Sequence, residues 1–291
     1  MTPMIRFGYN TNGLAHHRLD EALTLLGNIG YQAVAITPDV GQLDPYRLGA
    51  NEAAQLRRQS VDLGLALTIE TGARFLLDPA HKHDPNLMNV HGEGRERRVD
   101  YYRRCIDLAV ELGAPLVSLW AGTESTGATF STQEDSRALL ERLAEGLRSV
   151  LAHARARGVV IGFEPEPGMF IEGPAGYKAL LETLGPDGGD LGLTLDVGHL
   201  VVTGDRPEGD VIRAHREQLV NVHLDDCPIG IHEHRPFGQG DLDLPGVLSA
   251  LQEVGFRGVA SVELSRDSHR GPEAAAEALG ALRAALADAP D

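Results

Sequence analysis

Residues 159–170 read VVIGFEPEPGMF, and the pattern in this stretch decides the fold. Five apolar or small residues lead directly into Glu164, and Glu166 follows between two prolines. A carboxylate at the end of an apolar run costs several kcal/mol to bury alone, so it must be exposed, paired, bound to a metal or used in catalysis. Whether Glu164 is more than the polar end of one strand depends on how the other apolar runs of the chain end.

Eight short apolar runs alternate with longer helical patterns along the whole chain. They are IRFGYN (5–10), QAVAIT (32–37), LALTIE (65–70), PLVSLW (115–120), VVIGFE (159–164), LGLTLD (191–196), LVNVHL (219–224) and GVASVE (258–263). Their apolar character on both faces is typical of parallel strands that are covered by helices.

The helical patterns between the runs favour a closed barrel. Glycine, which can adopt the left-handed conformation that ends a helix, closes five of them: Gly30, Gly64, Gly113, Gly158 and Gly255. Eight β–α repeats without a linker predict an α/β protein with a single (β/α)8 TIM barrel over residues 1–291, in which the tail 287–291 is disordered. A doubly wound open sheet is the alternative, but no GxGxxG follows the first run.

Charge and cysteine content narrow the classes of partner. The net charge of −16, with a pI near 5.1, argues against nucleic acid and anionic membrane surfaces. Two cysteines, Cys105 and Cys227, give no disulfide framework, and we find neither a signal peptide nor an apolar run of membrane-spanning length. We therefore expect a cytoplasmic protein.

Four consecutive predicted strands end in residues that can bind a metal. The fifth run ends at Glu164 and the sixth at Asp196, the seventh carries His223 near its end, and the eighth ends at Glu263. Because the carboxyl ends of barrel strands form the active-site rim, these side chains should lie side by side. Three carboxylates and an imidazole suit one divalent ion, with Mn²⁺, Co²⁺, Mg²⁺ or Zn²⁺ as candidates.

The same segments carry a resemblance to a known family. The phrases GFEPEPG, LTLDVGH, NVHLDD, RPFGQGDLDL and ASVEL resemble the xylose-isomerase-like TIM-barrel superfamily, which includes ketose 3-epimerases, inosose dehydratases and isomerases, and zinc-dependent AP endonucleases. The resemblance covers nearly the whole chain. It implies one divalent metal held by Glu164, Asp196, His223 and Glu263, a small polyol or sugar as substrate, and a homodimer.

Further residues near the rim are candidates for binding the substrate. His199 resembles the family histidine that follows the metal aspartate and touches the substrate or a second metal. Glu70 and Trp120 end the third and fourth runs, and the loop after the seventh run offers His234 and Arg235, the latter by likeness to an epimerase arginine. Two neighbours stay open: Glu166 as a bystander or a supporting carboxylate, and His232 as a solvated or a substrate-binding histidine.

The predicted activity is that of an isomerase or epimerase of a sugar, sugar phosphate or inosose. Glu164 and Glu263 would transfer the proton through an enediolate, in addition to binding the metal. A metal-dependent dehydratase of a keto-polyol such as inosose is the main alternative.

An AP endonuclease needs further histidines on the third and fourth runs, where this chain has Glu70 and Trp120. A barrel without activity would have no reason to gather carboxylates on one rim.

Overall fold

The computed structural model describes residues 5–72, 74–123 and 133–288, in which eight parallel strands close into a barrel in chain order. The strands are β1 Arg6–Asn10, β2 Ala33–Ile36, β3 Ala66–Glu70, β4 Leu116–Leu119, β5 Val160–Phe163, β6 Leu191–Asp196, β7 Leu219–Leu224 and β8 Val259–Val262. Each strand lies within its predicted run. The ring closes where Gly8 of β1 pairs with Ser261 of β8, which confirms the (β/α)8 barrel and excludes the open sheet.

Nine α-helices surround the strands in the part of the chain that is described. They are α1 Leu19–Ile29, α2 Ala50–Asp62, α3 Gly92–Leu112, α4 Gln133–Arg157, α5 Pro174–Leu184, α6 Val197–Thr203, α7 Glu208–Ala214, α8 Leu244–Glu253 and α9 Gly271–Asp288. Short 3₁₀ helices lie at Thr11–Leu14, Gly185–Asp190 and Ser265–Arg270. Helices and strands share one core because each helix turns an apolar stripe to the barrel, as α1 does with Leu19, Ala22, Leu23 and Leu26.

Glycines end the helices at the predicted positions. At Gly30, φ is 106°, and its N–H donates to the carbonyl groups of Leu26 and Gly27. This left-handed backbone is open to glycine without a Cβ clash, and φ is positive at all five predicted glycines: Gly30, Gly64, Gly113, Gly158 and Gly255.

The C-terminal helix reaches further than the sequence suggested. Ala287 and Asp288, the first two residues of the expected disordered tail, belong to α9, whose many alanines favour a helix. Residues 289–291 lie outside the described part of the chain. No helix within the described ranges combines the length and the hydropathy that are needed to cross a bilayer.

Candidate metal centre and substrate pocket

The four predicted ligands meet at the carboxyl ends of β5 to β8. Glu164 follows β5, Asp196 ends β6, His223 is the fifth residue of β7, and Glu263 follows β8. One candidate ligand atom from each residue lies within 4.8 Å of the others. The structure therefore brings together the residues that the strand ends predicted, and their role as ligands stays a prediction.

His223 lies between carboxylates on three sides. Its Nδ1 is 2.9 Å from Glu164 Oε1 and 3.1 Å from Glu263 Oε2, and its Nε2 is 3.3 Å from Glu70 Oε2. Burial opposes a positive charge here, yet Glu164 and Glu70 raise the pKa of His223 well above its usual range. Without a metal, the imidazolium is thus the cation that the surrounding carboxylates stabilise.

The pKa values of the carboxylates in the cluster are shifted in different directions. Burial raises the pKa of Glu164, although the contact with His223 opposes this shift. Burial also acts to raise the pKa of Glu263, but the hydrogen bond and charge of His223 outweigh it and lower that pKa below its usual range. Asn12, in the 3₁₀ helix after β1, donates to Glu263 Oε1 at 2.7 Å. Sequence reasoning missed Asn12, because nothing in its local pattern points to a residue 251 positions away.

Asp196 has one oxygen that is satisfied and one that is not. Its Oδ1 accepts from the backbone N–H of His199 at 2.9 Å and so caps α6. Its Oδ2 is buried and has no hydrogen-bond partner among the described residues. Burial, followed by the nearby Asp225, raises the pKa of Asp196 well above its usual range. An unpaired buried carboxylate oxygen costs several kcal/mol, so a cation bound here would be stabilising.

Three histidines form a second cluster beside the first. The ring centroids of His199, His232 and His234 are 4.8 to 5.5 Å apart, and one nitrogen from each lies within 4.8 Å of the others. Burial lowers the pKa of His199 and of His232, whereas the contact with Asp225 raises the pKa of His234 despite its burial. The structure brings His232, whose role the sequence left open, next to His199 and His234, whose contact with substrate stays a prediction.

The conformation of the loop after β7 separates Arg235 from His232 and His234, which line the pocket. The backbone of Arg235 pairs with that of Asp226 in an antiparallel bridge, so successive side chains point to opposite sides. His232 and His234 face the pocket, whereas Arg235 turns away and binds Glu233 at 2.6 Å. Arg235 is not among the residues that line the pocket, and its contact with substrate stays a prediction.

A pocket of about 520 Å³ opens above the two clusters. Its volume lies in the range of small-molecule sites. Glu70 and Trp120 line it, as the sequence predicted, at the ends of β3 and β4. Glu166 also lines it, and burial together with the charges of Glu164 and Glu263 raises the pKa of Glu166 to about 8. His83, from the loop between β3 and α3, is a lining residue that the sequence did not indicate.

Comparison with known proteins agrees with this architecture. Two solved structures share the fold at 20% sequence identity: an L-ribulose 3-epimerase (TM-score 0.76, covering 98% of this chain and 96% of that one) and the IolI protein with a zinc atom (TM-score 0.77, 99% and 100%). The 3-dehydroshikimate dehydratase of Pseudomonas putida is 26% identical over 246 residues, which are 81% of this chain and 35% of that protein.

A family comparison covers most of the barrel. The model of the family described as xylose isomerase-like TIM barrel matches residues 23–285, from α1 to α9. Because the match extends over nearly all of the strands and helices, the chain belongs to the xylose isomerase-like TIM-barrel family.

Proposed function

We propose that this protein is a metal-dependent isomerase or epimerase that moves a proton on a small sugar or polyol with a keto group. One observation carries the proposal: four candidate ligand atoms from four adjacent strand ends lie within 4.8 Å of one another beneath a sugar-sized pocket. The kinship with an L-ribulose 3-epimerase in fold supports the same class of reaction.

The residues of the centre suit a divalent cation. Three carboxylates and one imidazole provide oxygen and nitrogen donors of the kind that Mn²⁺, Co²⁺, Mg²⁺ and Zn²⁺ accept. The buried Asp196 Oδ2, which has no hydrogen-bond partner in the described part of the chain, would coordinate the cation. Glu164, Asp196, His223 and Glu263 would hold the ion, and the zinc atom in the structure of IolI supports such a site.

We infer that the two glutamates of the centre move the proton. A divalent ion held at this centre supplies electrophilic chemistry, since it polarises a ketone and acidifies the neighbouring C–H bond. Glu164 and Glu263 approach from β5 and β8, on either side of β6 and β7. If one removes a proton to give an enediolate and the other returns a proton to the opposite face, the product is an epimer. Return of the proton to the adjacent carbon gives the aldose–ketose isomer.

A dehydratase is the second candidate, because the Pseudomonas putida relative with that name aligns with 81% of this chain. Elimination needs an acid beside the leaving β-hydroxyl, and Glu70 and Glu166 provide additional carboxyl groups in the pocket lining. The products separate the two functions, because an isomerase conserves the formula of its substrate and a dehydratase releases water.

The first experiment measures metal content and turnover together. Wild type, Glu164→Gln and Glu263→Gln are assayed for bound metal, and for conversion of L-ribulose, D-tagatose, D-allulose and 2-keto-myo-inositol. We expect a divalent ion at this centre in wild type, weaker binding in both variants, and turnover reduced by about 1,000-fold, as for loss of an acid or base. Glu182→Gln on the exposed face of α5 is the matched control.

Two results would contradict the proposal. A wild-type protein that is free of metal and gains no thermal stability from Mn²⁺, Co²⁺, Zn²⁺ or Mg²⁺ has no such centre. Three bound ions per chain, with cleavage of abasic DNA, would instead identify an endonuclease.

A further inference from the structure

His83 has an unusual backbone for a residue with a side chain. Its φ is 67°, which makes it the one non-glycine residue with positive φ in the described ranges. Its N–H donates to the carbonyl of Arg74 at 2.6 Å, and its own carbonyl accepts from Arg98 Nη2 at 2.6 Å. A positive φ costs free energy for a residue with a side chain. Such residues persist where the surrounding structure holds them, often at functional sites.

Arg98 is the group that holds this loop. It lies on α3, is 0% exposed, and also donates from Nε to the carbonyl of Pro85 at 2.7 Å. Its guanidinium lies 5.4 Å from the ring centroids of Tyr101, Tyr102 and Trp120, and no carboxylate within the described ranges forms an ion pair with it. Burying a cation costs free energy. The contribution of Arg98 to the fold is its hydrogen bonds to the carbonyl groups of His83 and Pro85, which hold the loop in place.

Two contacts fix the ring of His83 as well as its backbone. Nδ1 lies 2.8 Å from the carbonyl oxygen of Gly72, so Nδ1 carries the hydrogen and donates it. The ring stands edge-on to Trp120 with 4.9 Å between centroids. Burial lowers the pKa of His83 to about 4, in agreement with a neutral ring at pH 7.

This arrangement leaves Nε2 as an acceptor at the pocket. In a neutral imidazole that donates from Nδ1, Nε2 keeps its lone pair. His83 lines the pocket beside Trp120, and Nε2 has no hydrogen-bond partner among residues 5–72, 74–123 and 133–288. A lone pair can receive a hydroxyl hydrogen and is repelled by a carboxylate or a phosphate dianion, which offer only further lone pairs.

We propose that His83 Nε2 accepts a hydrogen bond from a substrate hydroxyl, while Trp120 packs against the carbon face of the same substrate. The inference rests on the proposed function and sharpens it: the substrate presents a free hydroxyl at the β3–β4 side of the pocket, where His83 and Trp120 line it. His83 is then a contact that determines specificity, and it plays no part in holding the metal.

The test compares two replacements of His83 in the metal-loaded protein. His83→Asn tolerates the left-handed backbone but is too short to place an acceptor at Nε2, whereas His83→Gln is long enough to place its amide oxygen there. Binding of L-ribulose, D-tagatose and D-allulose is followed by the fluorescence of Trp120, the one tryptophan of the chain. KM, kcat and metal content are measured alongside.

We expect Kd and KM to rise about tenfold in His83→Asn, with kcat and metal content nearly unchanged, and to return to within about threefold of wild type in His83→Gln. His81→Gln is the matched control, since His81 is exposed, pairs with Asp78 and lies outside the pocket lining.

The outcomes separate this inference from the function on which it rests. Wild-type turnover of a ketose, with His83→Asn unchanged in Kd and KM, would overturn the inference alone. Equal losses in both variants would overturn it too, because they would assign His83 a packing role. A wild type that neither binds nor converts any of these ketoses or 2-keto-myo-inositol would overturn the proposed function and the inference together.

Discussion

The rim of the barrel is built in two different ways. On the β5–β8 side, charged groups follow the strand ends directly and contact one another, as His223 contacts Glu164 and Glu263. On the β1–β4 side, the neutral ring of His83 and the indole of Trp120 face the pocket, and His83 belongs to a loop pinned by the guanidinium of Arg98. Backbone pairing sets the geometry of the first side, whereas one buried side chain sets much of the second. A change in the loop of His83 should therefore leave the four ligands in place, although Asn12 and Glu70 of the β1–β4 side contact Glu263 and His223.

The largest effect on stability is expected from Arg98→Met. The carbonyl groups of His83 and Pro85 lose their donors, and unsatisfied buried acceptors destabilise a fold by about 3 kcal/mol in total. Chemical denaturation measures the free energy of unfolding, and Arg97→Met, its exposed neighbour, is the control. Metal affinity should stay within about threefold of wild type, because the ligands lie on the other side of the rim.

Two results would contradict the expected difference between the two sides of the rim. A variant Arg98→Met as stable as wild type would mean that the cost of burying the guanidinium cancels its hydrogen bonds, as happens in some buried ion pairs. A large loss of metal affinity would mean that the two sides of the rim are coupled.

A smaller effect should appear in the pH dependence of stability. The pKa of His83 is lowered by burial to about 4, with Lys82 and Arg98 acting in the same direction. Between pH 6.5 and pH 4, the unfolded chain therefore binds a proton at His83 that the folded chain does not. Stability from this group is present above that window and falls as the pH falls, by about 2 kcal/mol at pH 5.

The measurement is the difference in unfolding free energy between wild type and His83→Asn at pH 8 and at pH 5. The difference should shift by about 2 kcal/mol in favour of the variant at the lower pH, because asparagine does not titrate. The same difference at both pH values would show that His83 titrates normally in the folded protein. It would also remove one support for a neutral ring.

The β5–β8 side could be predicted from the sequence because its geometry follows from the strands. Once a run such as VVIGFE is recognised as a parallel strand, the position of Glu164 at the rim follows, and so does its nearness to Asp196 on the next strand. The alternating apolar runs and the glycines that end the helices gave the barrel for the same reason. Local patterns sufficed here.

The loop of His83 on the β1–β4 side could not be predicted in this way, although Glu70 and Trp120 at the ends of β3 and β4 were. Arg98 lies in the tract RERRVDYYRR, which reads as a solvated helix, and its residue type does not distinguish it from the exposed Arg97. A signal did exist, because helical spacing puts Arg98, Tyr101, Tyr102 and Cys105 on one face. The contacts that fix His83 come from loops and from α3, and their geometry depends on the assembled fold.

The smallest effect, expected from Arg235→Gln, concerns a residue that was predicted to contact substrate and lies outside the pocket lining. The resemblance to the epimerases predicted that Arg235 contacts the substrate. Successive side chains of the extended loop point to opposite sides, so Arg235 contacts Glu233 while His234 faces the pocket. A half-exposed ion pair contributes about 0 to 1 kcal/mol, so we expect KM and metal affinity to change by less than about twofold. His234→Gln, one residue away, is the contrasting variant, and its KM should rise severalfold more. A large increase in KM for Arg235→Gln would mean that this loop turns over when substrate binds, so that its outward side chains become the inward ones.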